Sequence, residues 1–325
     1  MKKRSWFKFV LTLFLAMVVF LIWYFGIGLS ANEPGSFYNK GHNAAWIGHE
    51  WLGEKKSNQE IKELIQNLTR HEIDLVFVHA GPLMEDGNID PDTYNFAFNF
   101  IDKARKFDKN IRYQAWLGQL RSKINLADEE VRKNIAKQAL IFSGLIGFDG
   151  VHFDIEPVWD GDLDFIELLK ETRVALPDEK KISVALAEFI PQSLILVLKN
   201  FREFENFNSE VNYRNVAKYA DQIVVMAYDT GINSGWLYCL LVREQTIWLS
   251  NLLAGKELLV GIPSYDEEKE SFNPKVENIE NGLKGITSGL NNFRSNEDNF
   301  TGVAIYPYWE IDAEEWEIYE SLWQK

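Results

Sequence analysis

The sequence has little of what disulfide-stabilised and metal-binding proteins need. Its one cysteine, Cys239, excludes a disulfide within the chain, so stability must come from packing. Its five histidines show no metal-ligand spacing. The segment 160–171 carries carboxylates at EF-hand intervals, but Phe165 occupies the position that needs glycine. We therefore predict no metal and no cofactor, and we interpret this segment as a helix with an acidic first turn.

Positive charge is also scarce. The chain has 34 Lys and Arg against 48 Asp and Glu, so its formal net charge is −14. This balance disfavours nucleic acid, an anionic membrane surface or another acidic polymer as the main partner, and it is compatible with a neutral or cationic ligand. A glycine-rich phosphate loop after an early strand is lacking too, which argues against an open dinucleotide-binding sheet.

The N-terminal end differs from the remainder of the chain. Lys2, Lys3, Arg4 and Lys8 precede an uncharged run from Phe9 to Leu29, which is about the length that crosses a hydrocarbon core. We predict a membrane anchor over residues 1–31, with the rest of the chain outside the cytoplasm. A signal peptide cleaved after Ala31 is the alternative. Residues 32–42 are interpreted as a linker and 43–325 as one catalytic domain.

Short apolar runs alternate with amphipathic helical stretches throughout this domain. The runs are rich in β-branched and aromatic residues, and their starts lie roughly 30 to 45 residues apart, as in repeated βα units. Eight such units predict an α/β fold of the (β/α)₈ barrel (TIM barrel) type. The predicted strands are 44–51, 73–80, 111–118, 150–157, 182–189, 222–229, 257–264 and 302–309.

The fourth run, "DGVHFDIEP", places ionisable residues at every second position. Because side chains alternate across a strand, His152, Asp154 and Glu156 are predicted to point into the barrel. A structural ion-pair network is one explanation. However, burying charge is costly, and Glu156 falls at the strand end where barrel enzymes carry their chemistry. Two close carboxylates keep one of them protonated near neutral pH, which glycoside hydrolysis requires.

The same run resembles the Asp-Gly-x-Asp-x-Asp-x-Glu motif of family 18 glycoside hydrolases, the chitinase and endo-β-N-acetylglucosaminidase family. "MAYD" (226–229) resembles the Met-x-Tyr-Asp element of that family. "YPYW" (306–309) resembles the strand whose tryptophan floors the sugar site. The resemblance spans 43–325 and implies a retaining hydrolase of β-linked N-acetylglucosamine-containing oligo- or polysaccharides.

The resemblance also implies roles for individual residues. Glu156 would be the general acid, and Asp154 would orient the substrate's N-acetyl group as its carbonyl attacks the anomeric carbon. Tyr228 would donate a hydrogen bond to the acetamido oxygen, and Asp229 would contact the sugar or support Tyr228. Trp309 would stack beneath the sugar in the cleaved site, and Asp149 would support the strand and its hydrogen bonds.

One position departs from the family pattern, because His152 stands where Asp or Asn is usual, behind Asp154. One expectation is that this histidine takes over the role of holding or relaying the proton, either as a donor to Asp154 or as a group that titrates near neutral pH. The alternative is that it alters the pH optimum or weakens catalysis. A lectin-like barrel that binds sugar without turnover is therefore the main alternative, and a purely structural barrel is another.

Several other residues at strand ends are candidates for the cleft. Among them, Trp116 and Glu50 are predicted to bind substrate, and Trp236 and Tyr238 are further candidates for a subsite in the loop after the sixth strand. The sequence leaves open whether the glycan is chitin, peptidoglycan or an N-glycan, and whether cleavage is endo or exo. The remaining rim candidates are Trp51, His79, Gln114 and Glu188.

Overall fold

The computed structural model describes residues 11–17, 19, 33–190 and 207–324. Eight strands form a closed barrel in chain order, and every neighbouring pair is parallel, including β1 with β8. The predicted (β/α)₈ architecture is confirmed. The strands are β1 Asn43–Ile47, β2 Ile73–Pro82, β3 Arg112–Leu120, β4 Gly150–Glu156, β5 Lys181–Leu186, β6 Gln222–Met226, β7 Glu257–Pro263 and β8 Phe300–Tyr306.

Four strands end three or four residues earlier than their apolar runs suggest. β1 stops at Ile47, so Glu50 begins a short helix, and β6 stops at Met226, which leaves Tyr228 and Asp229 in the following loop. β5 and β8 are shortened in the same way. The residues that follow such a strand still include apolar side chains, although their backbone is no longer part of the strand. The end of the strand therefore cannot be located from sequence periodicity alone.

Helices surround the barrel, and polar caps begin several of them. Ser57 and Glu60 form a reciprocal capping box at the start of one helix, as its sequence pattern favours. The Asp162 carboxylate caps the helix Leu163–Ala175, which confirms the acidic-turn interpretation of 160–171. The α-helices are Gly35–Tyr38, Glu50–Gly53, Asn58–Arg70, Ala97–Phe107, Glu129–Leu140, Leu163–Ala175, Glu210–Ala217, Gly235–Leu252, Ile279–Leu290 and Ala313–Leu322; a π-helical turn spans Ile141–Ile146, and 3₁₀ turns span Pro91–Tyr94, Arg121–Lys123 and Glu297–Asn299.

The side chains of β4 alternate as predicted. Val151, Phe153 and Ile155 are fully buried in the large hydrophobic layer between strands and helices. His152 lies on the opposite side, in contact with the smaller cluster inside the barrel that contains Trp46 and Phe77. Strand geometry therefore directs the polar residues of β4 along the barrel interior towards its C-terminal mouth.

The predicted anchor lies mostly outside the described residues. None of the helices in the described part of the chain is long and apolar enough to cross a membrane. The membrane anchor therefore stays a prediction from sequence.

Candidate active site

A carboxyl pair occupies the C-terminal end of β4. Asp154 and Glu156 are successive inward residues of the strand, and their carboxyl groups lie within hydrogen-bonding reach of each other. The charge of Asp154 raises the pKa of Glu156 well above its usual range, and desolvation and the charge of Asp229 add to this effect. Desolvation also raises the pKa of Asp154. Because two adjacent negative charges are unfavourable, the pair retains a proton near neutral pH.

Trp116 on β3 fixes one side of this pair. Its indole Nε1–H donates to Asp154 Oδ2 over 2.9 Å. The side chain is only 8% exposed, because it packs against His79 and Tyr306 with ring centroids 4.6 and 6.2 Å away. Trp116, predicted to bind sugar, is therefore a wall residue that orients Asp154 instead of an open stacking platform.

His152 lies beneath the pair, and both of its ring nitrogens have other partners. Trp46 Nε1 donates to His152 Nε2 over 3.1 Å, and His152 Nδ1 lies 2.9 Å from Ser183 Oγ. An indole N–H can only donate, so Nε2 accepts and the proton resides on Nδ1, from where it is donated to Ser183. The ring also stacks on Phe77 at a centroid distance of 3.9 Å.

This environment contradicts the expectation for His152. Complete burial lowers the pKa of His152 to about 3, so the ring is neutral throughout the physiological range. It does not titrate near neutral pH, and its two hydrogen bonds leave no N–H for Asp154. The sequence did not reveal this, because Trp46 and Ser183 lie 106 and 31 residues away along the chain.

The loop after β6 supplies a tyrosine and a further carboxylate. Tyr228 is 9% exposed and stacks nearly parallel on Tyr306, with ring centroids 5.6 Å apart. Desolvation, with smaller effects from Tyr306, Asp154 and Glu156, raises the pKa of Tyr228 well above its ordinary value. Its hydroxyl therefore remains protonated and able to donate at the mouth of the barrel.

Buried polar contacts hold this loop in place. Asp229 has a left-handed backbone with φ of 59°, a conformation that is unfavourable for most residues other than glycine. The next residue, Thr230, donates from its backbone N and its Oγ1 to the carboxylate of Glu277 over 3.2 and 3.0 Å. Tyr238 is fully buried and donates its hydroxyl to Ala227 O over 2.7 Å. Tyr238 is therefore not part of a surface subsite; its hydroxyl holds the carbonyl of Ala227, the residue before Tyr228.

Trp309 lies in the turn after β8 and is open to solvent. It is 48% exposed, and its ring stands edge-on to Tyr306 at 6.1 Å. The preceding residue is tied to the first strand, because Tyr308 N donates to Trp46 O over 3.0 Å. An exposed indole held by an ordered turn offers an apolar face for a ligand.

The family of the chain follows from a comparison of its sequence with protein-family models. The model described as "Glycosyl hydrolases family 18" matches residues 54–321. The chain belongs to this family. The match includes Asp154, Glu156, Tyr228 and Trp309, which the barrel brings to one end.

Solved structures with the same fold include a spore cortex-lytic enzyme and several chitinases. The spore cortex-lytic enzyme SleL of Bacillus cereus has a TM-score of 0.59 and 12% identity, with 87% of this chain and 74% of SleL covered. A chitinase from Bacteroides thetaiotaomicron has a TM-score of 0.56 and 14% identity, covering 85% and 93%. A class V chitinase mutant from Nicotiana tobaccum, in complex with NAG4, has a TM-score of 0.57 and 12% identity, covering 86% and 98%. A search of curated proteins finds no match.

The other predicted site residues of this family 18 chain are more dispersed. Asp149, at the start of β4, accepts from Tyr113 N over 2.8 Å and pairs with Arg105 over 3.0 Å, away from the mouth. Glu50 starts the helix after β1 and folds its carboxylate back over Gly48. Of the further rim candidates, Gln114 is buried inside the barrel, His79 packs against Trp116, and Trp236 is exposed at a helix start.

Three residues of the site were missed from the sequence. Tyr306 lies within the quoted "YPYW", where alternation in β8 could have assigned it to the interior. Tyr265 follows β7, is 7% exposed and packs at right angles to Tyr228 and Tyr306. Glu277 gave no local signal, because Thr230 is 47 residues away. Burial raises the pKa of Glu277 to about 7 and that of Glu188, at the exit of β5, to about 8.

Proposed function

We propose that the protein cleaves β-linked N-acetylglucosamine-containing glycans by a retaining, substrate-assisted mechanism with Glu156 as general acid. The observation that carries this proposal is the placement of the Asp154 and Glu156 carboxyl groups together at the end of β4, where the charge of Asp154 raises the pKa of Glu156. A solvent-accessible acid with a raised pKa is what protonation of a leaving glycosidic oxygen needs. The N-acetylglucosamine class is further supported by the tobacco chitinase, whose structure is described as a complex with NAG4.

In the first step, Glu156 would transfer its proton to the glycosidic oxygen as the bond from that oxygen to the anomeric carbon breaks. The acetamido carbonyl oxygen of the same sugar would attack the anomeric carbon from the opposite side, forming a cyclic oxazolinium. Asp154 Oδ1 is buried and has no hydrogen-bond partner in the described part of the chain. This oxygen is suited to accept the acetamido N–H, whose positive character grows as the ring forms.

The aromatic residues of the mouth would position that sugar. The protonated hydroxyl of Tyr228 is suited to donate to the acetamido oxygen, and the exposed ring of Trp309 to stack beneath the pyranose. In the second step, ionised Glu156 would take a proton from water as the water oxygen attacks the anomeric carbon and the bond from that carbon to the acetamido oxygen breaks, which restores the acetamido group. Two inversions retain the β configuration, and Glu156 is reprotonated for the next cycle.

The site in this proposal belongs to an anchored, extracytoplasmic enzyme. Residues 1–31 would anchor the chain or be removed as a signal peptide, 32–42 would form a linker, and 43–325 would be the catalytic domain. Fractionation of cells that express the full chain, with protease added from outside, tests this topology. Protection of the barrel from external protease in intact cells would contradict it.

One observation favours the lectin-like alternative. His152 is neutral and bonded to Trp46 and Ser183, so it cannot exchange a proton with Asp154. A barrel of this kind would retain the cleft and bind oligosaccharides with slow or no turnover.

The deciding experiment incubates the purified full chain with fluorogenic N-acetylglucosamine oligosaccharides between pH 4 and 8. We expect turnover that disappears in Glu156→Gln, while calorimetry still detects oligosaccharide binding by that variant. Binding without turnover by the unmodified protein would favour the lectin-like alternative. The absence of both, across chitin-type, peptidoglycan-type and N-glycan ligands, would contradict the proposed function.

A further inference from the structure

The chain enters the barrel at its N-terminal face, the end where the strands begin. Glu33 is bound there, because Glu33 N donates to Asn291 Oδ1 over 2.8 Å and Asn291 Nδ2 donates to Glu33 O over 2.9 Å. Asn291 follows the helix Ile279–Leu290, and each helix of such a barrel leads from the C-terminal end of one strand back to the N-terminal end of the next. Glu33 and the carboxyl group of Glu156 therefore lie at opposite ends of the barrel.

The residues after Glu33 are fixed to the same face. Gly35 packs so closely against the last helix that a Cβ atom at this position would collide with Leu322 O. Asn39 Nδ2 donates to Trp323 O over 3.0 Å. This part of the predicted linker is bound to the barrel, so it does not act as a flexible tether between the barrel and the predicted anchor.

Few residues separate this fixed segment from the predicted anchor. The uncharged run ends at Leu29, and residues 30–32 lie outside the described part of the chain. The four steps from Leu29 to Glu33 span at most about 14 Å in any conformation. If the run crosses a membrane, as proposed, Glu33 is held within that distance of the membrane surface. The N-terminal face of the barrel is then the nearest part of the barrel to the lipid.

Two exposed aromatic residues lie beside Glu33. Phe293 follows Asn291 by two residues and is 93% exposed. Phe37, on the short helix Gly35–Tyr38, is 61% exposed. Phenylalanine side chains at a membrane surface enter the boundary between headgroups and acyl chains, where their burial is favourable. The position and the chemistry of these rings both suit contact with lipid.

The charged residues around the two phenylalanines indicate which lipid fits. Lys40 lines the same surface pocket as the carboxylates of Glu297 and Asp298. Arg294 lies 3.5 Å from the carboxylate of Glu244. Anionic lipids are recognised by clusters of basic residues, and here carboxylates accompany each cation. A zwitterionic surface therefore fits better than an anionic one.

We propose that the N-terminal face of the barrel, at Phe37 and Phe293, rests on a zwitterionic lipid surface, so that the mouth at Glu156 opens away from the membrane. β4 has seven residues, and a rise of about 3.3 Å per residue places the mouth about 20 Å farther from the lipid. The inference rests on the membrane anchor of the proposed function. It adds that the substrate is a glycan at a distance from the lipid, and not the sugar headgroup of a lipid in the same membrane.

The test places the full chain in phosphatidylcholine nanodiscs that contain a fluorescent acceptor lipid. A donor dye is attached at Glu297→Cys on the N-terminal face or at Glu310→Cys in the turn after β8, each combined with Cys239→Ser so that a single thiol remains. We expect energy transfer to the lipid to be at least about twofold more efficient from position 297, because about 20 Å separates the two ends of the barrel. Equal transfer, or more efficient transfer from position 310, would overturn the orientation.

The phenylalanines are tested separately. Phe37→Ser combined with Phe293→Ser should lower the transfer from position 297, because the face loses its apolar contact with the lipid. Phe98→Ser is the matched control, since Phe98 is also 61% exposed but lies at the start of the helix Ala97–Phe107, at the mouth end of the barrel. Unchanged transfer in the double variant would contradict the contact between these rings and the lipid.

Turnover of soluble N-acetylglucosamine oligomers by the same nanodisc preparation separates the orientation from the chemistry. Turnover together with equal transfer from the two positions would overturn the orientation and leave the proposed reaction intact. The expected transfer without turnover would support the orientation and count against the hydrolase. Failure of the full chain to stay in the nanodiscs would contradict both the anchor and the orientation that rests on it.

Discussion

The hydrogen bond from Trp116 to Asp154 leads to a measurable pH effect. Trp116→Phe keeps an aromatic ring against His79 and Tyr306 but removes the N–H that lies 2.9 Å from Asp154 Oδ2. That N–H stabilises the ionised form of Asp154 and lowers its pKa against the opposing effect of desolvation. A hydrogen bond to a charged group contributes about 1.5–3 kcal/mol, and about 1.4 kcal/mol corresponds to one pH unit.

The direction of the shift follows from the roles proposed for the pair. The active form would have Asp154 ionised and Glu156 protonated, so activity falls at low pH when the pair binds a second proton. Without the indole N–H the ionised form of Asp154 is less stable. The acidic limb of the kcat/KM profile should therefore move upward by about one to two pH units. The titratable groups that face Asp154 are Glu156, Tyr228 and Tyr306, and both tyrosines stay protonated over this range.

The assay is the pH dependence of kcat/KM from pH 4 to 8, measured for the unmodified protein and Trp116→Phe. Trp46→Phe is the matched control, because it removes an indole N–H that is donated to His152 instead of Asp154. We expect this control to lower the melting temperature and leave the acidic limb in place. An acidic limb that does not move in Trp116→Phe would refute the orienting role of Trp116. Carbon-detected NMR titration of Asp154, assigned with Asp154→Asn, checks the same shift in a protein without turnover.

Three further predictions concern the rim. Trp309→Ala should raise KM for N-acetylglucosamine oligomers by roughly tenfold through lost stacking, and an unchanged KM would exclude Trp309 from the sugar site. Glu277→Ala leaves the backbone N–H and the hydroxyl of Thr230 without their acceptor. We therefore expect the free energy of unfolding, measured in urea, to fall by about 1–3 kcal/mol and kcat to fall as well. Full activity would contradict the idea that Glu277 holds the loop that carries Asp229. Burial raises the pKa of Glu188 to about 8, so the folded state binds a proton that the unfolded chain releases, and stability should fall between about pH 4.5 and 8. Glu188→Gln should flatten that decline in melting temperature, and an identical pH profile would contradict it.

The carboxyl pair shows how far the sequence could predict the site. The two-residue spacing of Asp154 and Glu156 places them on one side of β4, because side-chain alternation is a property of the strand itself. The apolar runs likewise predicted eight strands in the observed order. The end of each strand was less predictable, because the apolar pattern at Tyr228 and Trp309 continues beyond the last ladder hydrogen bond.

The neighbours of these residues depended on the barrel. Whether His152 would contact Asp154 was decided by Trp46 and Ser183, which the closure of the sheet brings to its two ring nitrogens. Trp116 was predicted to bind sugar, and the structure shows that its indole N–H donates to Asp154. Each of these contacts joins different strands, and the register between strands is not encoded in any short stretch of sequence.

The sequence by itself therefore determined the alternation of strands and helices, the placement of two carboxylates at the end of β4, and the family. These follow from local periodicity and from motifs a few residues long. Only the tertiary structure decided the tautomer of His152, the orientation of Asp154, and the carboxylate of Glu277 beneath Thr230. The physical reason is that a proton or a hydrogen bond is assigned by the atoms that surround a group, and in a closed barrel those atoms come from distant parts of the chain.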